Sequence, residues 1–181
     1  VELAAFQVIM TVSTLGFMFY YSLASAMSIR VATFQGMQDW TQLERSARAG
    51  RDILLAVAVV ASFVFYFFGP SLIGFFTKDA AVIQMAVMLI PGLIFYQYAD
   101  AMQICYANAL RGTAFVKPMA PIALVSYLCI GIPVGYLLGF VFDWKLNGLF
   151  LGLPAGLFTA AGLFFYYFRR AMKRNLQASL S

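Results

Sequence analysis

The sequence predicts an all-α polytopic membrane protein with five transmembrane helices. Three observations carry that reading. Of its 181 residues, 63% are hydrophobic and only 10% are charged, against about 25% charged in an ordinary soluble domain. The apolar residues come in uninterrupted runs, each at or above the roughly 20 residues that cross a bilayer, without the alternation of a barrel strand. The Lys and Arg residues sit at the ends of those runs, where they orient helices. The formal net charge of +5 is therefore a feature of topology. The expected partner is the lipid bilayer, not nucleic acid.

The first span covers about residues 3–29 and carries small and hydroxyl residues throughout: Ser13, Thr14, Gly16, Ser22, Ser25 and Ser28. Such residues let helices approach closely in lipid. Gln7, near its start, reads on its own as an interhelical hydrogen-bonding amide. Residues 30–52 are polar and mostly basic, and are expected to form a connector with a short surface helix. Trp40 lies near the interface there, and Glu44 and Arg48 are spaced for a helical i,i+4 pair. The second span is about residues 53–76, with Pro70 placed to kink or end it. The third is about residues 82–110. Pro91-Gly92 lies within it, and a proline there frees a carbonyl and bends the axis, which would open room beside any acid nearby.

A short basic loop, RGTAFVKP, leads to the fourth span, about residues 119–142, with Pro121 and Pro133. The link DWKLN carries Trp144, an interfacial residue type. The fifth span is about residues 146–168, with Pro154 and Gly156 in its first half, and residues 169–181 form a basic tail. Residues 1–181 thus read as a single transmembrane domain. Arg30, Arg45, Arg48, Arg51, Arg111, Lys117, Arg169, Arg170, Lys173 and Arg174 fall on one side of the membrane, Lys78 and Lys145 on the other. The positive-inside rule makes the first side cytoplasmic, which leaves the N-terminus of this segment outside and the C-terminus inside. Val1 is not an initiator methionine, and the first run lacks the basic flank and cleavage site of a signal peptide. The chain is expected to be the C-terminal part of a longer polypeptide.

The third span holds the one acid placed deep in an apolar segment, Asp100, within IFYQYADAMQICYANALRG. A carboxylate in hydrocarbon is costly and by default marks an ion or substrate pathway. Tyr96 and Gln97 lie one turn before it, Gln103 one turn after, and Arg111 about three turns on. This reads as a polar stripe turned toward other helices or a wet cavity. The alternative is a buried Asp satisfied by Gln and Tyr, acting as packing glue. Cys105 and Cys129 fall inside predicted spans and are read as small buried hydrophobes, not as a disulfide. There is no His, so any proton carried here is carried by a carboxylate. The spans show no paired acids, no Ser/His arrangement and no metal-ligand spacing, so neither an enzyme nor a cofactor is expected.

Two stretches resemble a known family. ELAAFQVIMTVSTLGFMFYYSLASAMSIRVATFQG is similar to the eighth helix of the multidrug and toxic compound extrusion (MATE) antiporters, and YQYADAMQICYANALRG to the tenth. The IRV of the first, the D-x-x-Q and LRG of the second, and the PVGYLLG of Pro133 to Gly139 together point to the bacterial NorM-like branch. The resemblance covers nearly the whole chain and implies the C-terminal lobe, helices eight to twelve of twelve. It implies a multi-pass protein of the bacterial inner membrane that exports cationic or amphipathic compounds in exchange for sodium ions or protons. It implies further that Asp100 is the cation-coupling carboxylate and tentative sodium ligand, that Tyr96 is an aromatic beside it, and that Gln7 lines the same cavity, with Gln97 and Gln103 as candidate polar lining. The N-terminal lobe and the seventh helix of such a transporter would be missing partners. Two other functions stay open: a flippase of lipid-linked sugars from the same superfamily, and a non-transporting membrane scaffold subunit.

Overall fold

The computed structural model describes residues 1–178; residues 179–181, the end of the expected basic tail, lie outside the described residues. No strand occurs among the described residues. The first helix, α1, runs Glu2–Gly36. At 1.5 Å per residue its 35 residues extend about 52 Å, well beyond the roughly 30 Å hydrocarbon layer. It ends at Met37, followed by Gln38 in the left-handed region at φ 58°.

The second helix, α2, runs Trp40–Phe76 and is capped by Asp39, whose carboxylate accepts from the Gln42 N–H at 3.0 Å. The connector therefore contains no separate surface helix: residues 41–52 are the first turns of α2. They hold no proline, and the Glu44–Arg48 pair closes at 2.7 Å, so nothing stops the helix at the polarity boundary. Pro70 does not end α2 either; it continues to Phe76 and stops at Thr77.

Asp79 caps α3, Ala80–Met88, by accepting from the N–H groups of Ala81 and Val82. Leu89 separates it from α4, Ile90–Gly112, and the two axes differ by 51°. Pro91 falls in the first turn of α4, where its missing N–H breaks no intrahelical bond. The third span is thus a broken helix. The fourth, α5, is Met119–Val141 and contains two π-helical segments, Val125–Gly131 and Leu137–Val141, on either side of Pro133. The last, α6, is Lys145–Ala178 and passes through Pro154. Four of these helices are individually long and apolar enough to cross a membrane, and the bent α3–α4 pair is so when its two parts are taken together, which makes up to five candidate spans.

The central helix is α4, packed against α1, α2 and α6. Its alanines, Ala99, Ala101, Ala107 and Ala109, are all buried and let three neighbours close in. One apolar cluster, with Tyr20, Met27, Leu43, Leu54, Leu110 and Phe164, fills the basic end. A second, with Ile9, Phe65, Ile73, Leu93 and Phe150, fills the other. The basic ends do gather: Arg174 lies over Phe115, 5.7 Å from the ring centre, and Asn175 donates to Gln35 at 3.4 Å.

α5 meets α6 backbone to backbone. Gly131, Gly135 and Gly139 face Gly148, Gly152 and Gly156, both sets at four-residue spacing. A Cβ on Gly152 would lie 2.5 Å from the Gly135 Cα, which is the close approach that small residues permit in membranes. Outward faces are apolar: Val60, Phe63, Phe67 and Phe75 on α2, Leu128, Ile132 and Phe140 on α5. Cys105 is buried and Cys129 exposed, both free thiols.

Candidate functional site

Asp100 lies near the middle of α4, about 15 Å along the axis from Ile90. It is 4% exposed. Its carboxylate makes no ion pair and accepts no hydrogen bond from the described residues. It opens instead onto a cavity of about 570 Å³ between α1, α4, α5 and α6, a size typical of small-molecule sites. Tyr96 and Gln103, one turn either side of Asp100 on α4, line the same cavity. Phe17 of α1 and Tyr127 of α5 face it from the other helices, and leucines of α6 complete the wall.

Local structure explains this placement. Glycines make room on α5, where Gly131 and Gly135 present bare backbone to the cavity. Tyr96 is steadied by Phe150, whose ring centre is 6.1 Å away, and Phe150 in turn packs edge-on against Phe6 at 6.0 Å. Gly92 is the spot where Phe150 enters α4: a Cβ there would meet its ring at 3.0 Å.

The expected polar stripe divides into two faces. Gln97 does not line the cavity. It is 1% exposed and turned to α1, where its Oε1 accepts from the Tyr20 hydroxyl. It lies over Gly16, whose missing side chain leaves the space it fills, and its Nε2 has no partner. Gln97 thus bridges α4 to α1 through Tyr20 and does not satisfy Asp100, so the alternative of a buried Asp held by Gln and Tyr finds no hydrogen bond among the described residues. Gln7 is exposed on α1, about 15 Å along the helix from Phe17, the α1 residue that does line the cavity. Arg111 is exposed at the end of α4. The bend at Leu89 does not open the room around Asp100. It borders a separate groove lined by Pro91, Gly92, Asp143, Trp144 and Asn147.

Sequence reasoning named neither Phe17 nor Tyr127. With 19 Phe and 10 Tyr in the chain, nothing local marks these two; only the helix packing selects them.

Chemically, the cavity offers one carboxylate, two phenol oxygens and one amide oxygen against apolar walls. Among the described residues no three His, Cys, Asp or Glu side chains converge as metal ligands. One anionic oxygen donor among neutral ones suits a monovalent cation or a proton better than a divalent metal. The aromatic faces suit an apolar or cationic organic body.

Comparison with known proteins agrees with the architecture. The MatE family profile matches residues 1–137. The chain is 34% identical over 173 residues to a probable multidrug resistance protein NorM of Xanthomonas campestris pv. campestris, covering 96% of this chain and 38% of that protein. A probable multidrug resistance protein NorM of Bacillus cereus is 33% identical over 178 residues, covering 98% and 39%. The fold is shared with an inward-facing multidrug resistance MATE family transporter of the MOP superfamily, at TM-score 0.86 and 14% identity, covering 97% of this chain and 40% of that one. It is shared also with the eukaryotic MATE transporter AtDTX14, at TM-score 0.83 and 22% identity, covering 96% and 41%. This chain spans about two-fifths of the length of the relatives it matches. Matched by the family profile over most of its length and by the transporter fold over nearly all of it, the chain is a multi-pass membrane protein that belongs to the MatE family.

Proposed function

We propose that this chain forms the C-terminal lobe of a cation-coupled multidrug antiporter, with Asp100 as the residue that takes the coupling ion, sodium or proton. The observation that carries the reading is the Asp100 carboxylate itself: buried, unpaired, and open to a cavity with Tyr96, Tyr127 and Gln103. A carboxylate held this way in a membrane interior is costly unless something occupies it in turn. A bound ion shifts a conformational equilibrium by its differential affinity for the two states, and by no more. Filling the Asp100 site would thus favour one packing of α1, α4 and α5 and loosen the grip on drug.

The exported compounds are cationic or amphipathic, received on the aromatic walls. Gln7, exposed on α1, would face the cleft completed by the other lobe and the seventh helix, for which the relatives' greater length leaves room. The setting is the bacterial inner membrane, with the basic end cytoplasmic. The chemistry is transport without catalysis or a resident cofactor.

The test is Asp100→Asn in the full transporter, reconstituted in vesicles with an imposed sodium or proton gradient and a fluorescent lipophilic cation as substrate. Expected is loss of gradient-driven efflux with membrane insertion unchanged. Undiminished gradient-driven efflux removes Asp100 from coupling. Transport of a lipid-linked oligosaccharide in place of the cation moves the assignment to a flippase.

A further inference from the structure

We propose that the groove between α1 and α2 at the basic end of the bundle binds an anionic phospholipid, with Arg30 and Arg45 gripping the lipid phosphate. The groove encloses about 360 Å³. Arg30 enters it from α1 and Arg45 from α2, brought together by the tight turn at Met37–Asp39. Gln42 and Ser46 add hydrogen-bonding groups, and Leu23 and Ile53 form apolar walls.

Charge singles out these two arginines. On the same stretch of α2, Arg48 is paired with Glu44 and Arg51 with Asp52, each at 2.7 Å. Arg30 and Arg45 have no acidic partner among the described residues. Two guanidinium groups facing one recess form a fork suited to phosphate oxygens. The recess is built by packing: a Cβ on Gly50 would collide with the Met27 side chain, so α1 and α2 meet closely at its floor.

Two features choose a lipid over a free phosphate. Leu23 and Ile53 are 37% and 52% exposed and apolar; Ile53 begins the second hydrophobic span and Leu23 lies about two turns inside the first from Arg30, so acyl chains can continue along them. The arginines stand at the boundary of that span, at headgroup level, on the side where basic residues collect anionic lipid. A zwitterionic headgroup would bring a third cation to a recess that already holds two.

The test is native mass spectrometry of the full chain released from vesicles of phosphatidylcholine and phosphatidylglycerol. Expected is retained phosphatidylglycerol in preference to phosphatidylcholine. Arg30→Gln with Arg45→Gln should cut that retention by roughly tenfold or more, as for two interfacial charges, while Arg48→Gln with Arg51→Gln changes it little. Equal loss in both pairs, or no headgroup preference, overturns the proposal. Displacement of the lipid by soluble glycerol phosphate also overturns it, assigning the groove to a free phosphate. Should the Gln pair fail to fold, Arg30→Lys with Arg45→Lys keeps the charge but not the fork. A loss of a few-fold supports the grip, and unchanged retention refutes it.

Discussion

Replacing Gly152 by alanine sets a Cβ 2.5 Å from the Gly135 Cα, 2.7 Å from the Gly135 nitrogen and 2.8 Å from the Gly131 carbonyl oxygen. Carbon atoms rest at about 3.5–4.0 Å, so α5 and α6 must separate by roughly 1 Å along the wall of the Asp100 cavity. All three obstacles are backbone, and no rotamer change relieves them. Overpacking costs about 1–3 kcal/mol. With no flexible neighbour the upper end applies, near 3 kcal/mol, or roughly a hundredfold in the folded-to-unfolded ratio. Two companion substitutions separate this contact from a general dislike of change on these helices. Gly135→Ala meets only ordinary neighbours, the Leu149 oxygen at 3.4 Å and the Gly152 Cα at 3.5 Å, and should be far milder. Gly162→Ala, with nothing within 4 Å, should be neutral or gain up to about 1 kcal/mol from helix propensity. The assay is reversible unfolding of the chain in mixed micelles by titrated SDS. An unfolding midpoint for Gly152→Ala equal to wild type, or a larger loss for Gly135→Ala, refutes the packing argument.

Tyr20→Phe strips the donor from Gln97 Oε1 and leaves a buried amide wholly unpaired; a loss of about 1–3 kcal/mol is expected in the same titration. Phe150→Ala opens a hole beside Tyr96, and should cost about 3–5 kcal/mol while raising the KM for drug in the full transporter more than it lowers surface expression. Asp79→Ala removes the cap of α3, at about 1 kcal/mol, and should speed amide exchange at Ala81 and Val82 without touching Asp100.

The large divisions of the fold were legible because apolar runs of bilayer length have few alternatives. The boundaries were less so. The sequence reading ended helices where polarity changed, near Ile29 and Asp52, whereas the backbone ends them where a stop exists. The Gly36–Asp39 turn, with Gln38 in the left-handed region, is that stop. Prolines were a divided signal. Pro91 coincides with a true break because it falls in a first helical turn, while helices run on past Pro70 and Pro154.

At the site, Asp100 stood out because a lone acid in an apolar run is itself anomalous. Tyr96 and Gln103 follow from helical spacing. The same spacing does not separate Gln97 from them, since residues 96 and 97 are both one turn away and only the neighbouring Gly16 and Tyr20 decide which faces α1. The glycine contact between α5 and α6 carried a readable signal, four-residue spacing on both helices. Recognising it required knowing that the two helices are partners.

The central claim, that Asp100 takes the coupling ion, is tested most directly by infrared difference spectroscopy of the full transporter. Spectra are recorded on adding sodium and on a pH jump, for wild type and Asp100→Asn. The account predicts a carboxyl or carboxylate band that responds to one of the two ions in wild type and is absent from the variant. A response that persists unchanged in Asp100→Asn would place ion binding elsewhere and leave Asp100 as a packing residue.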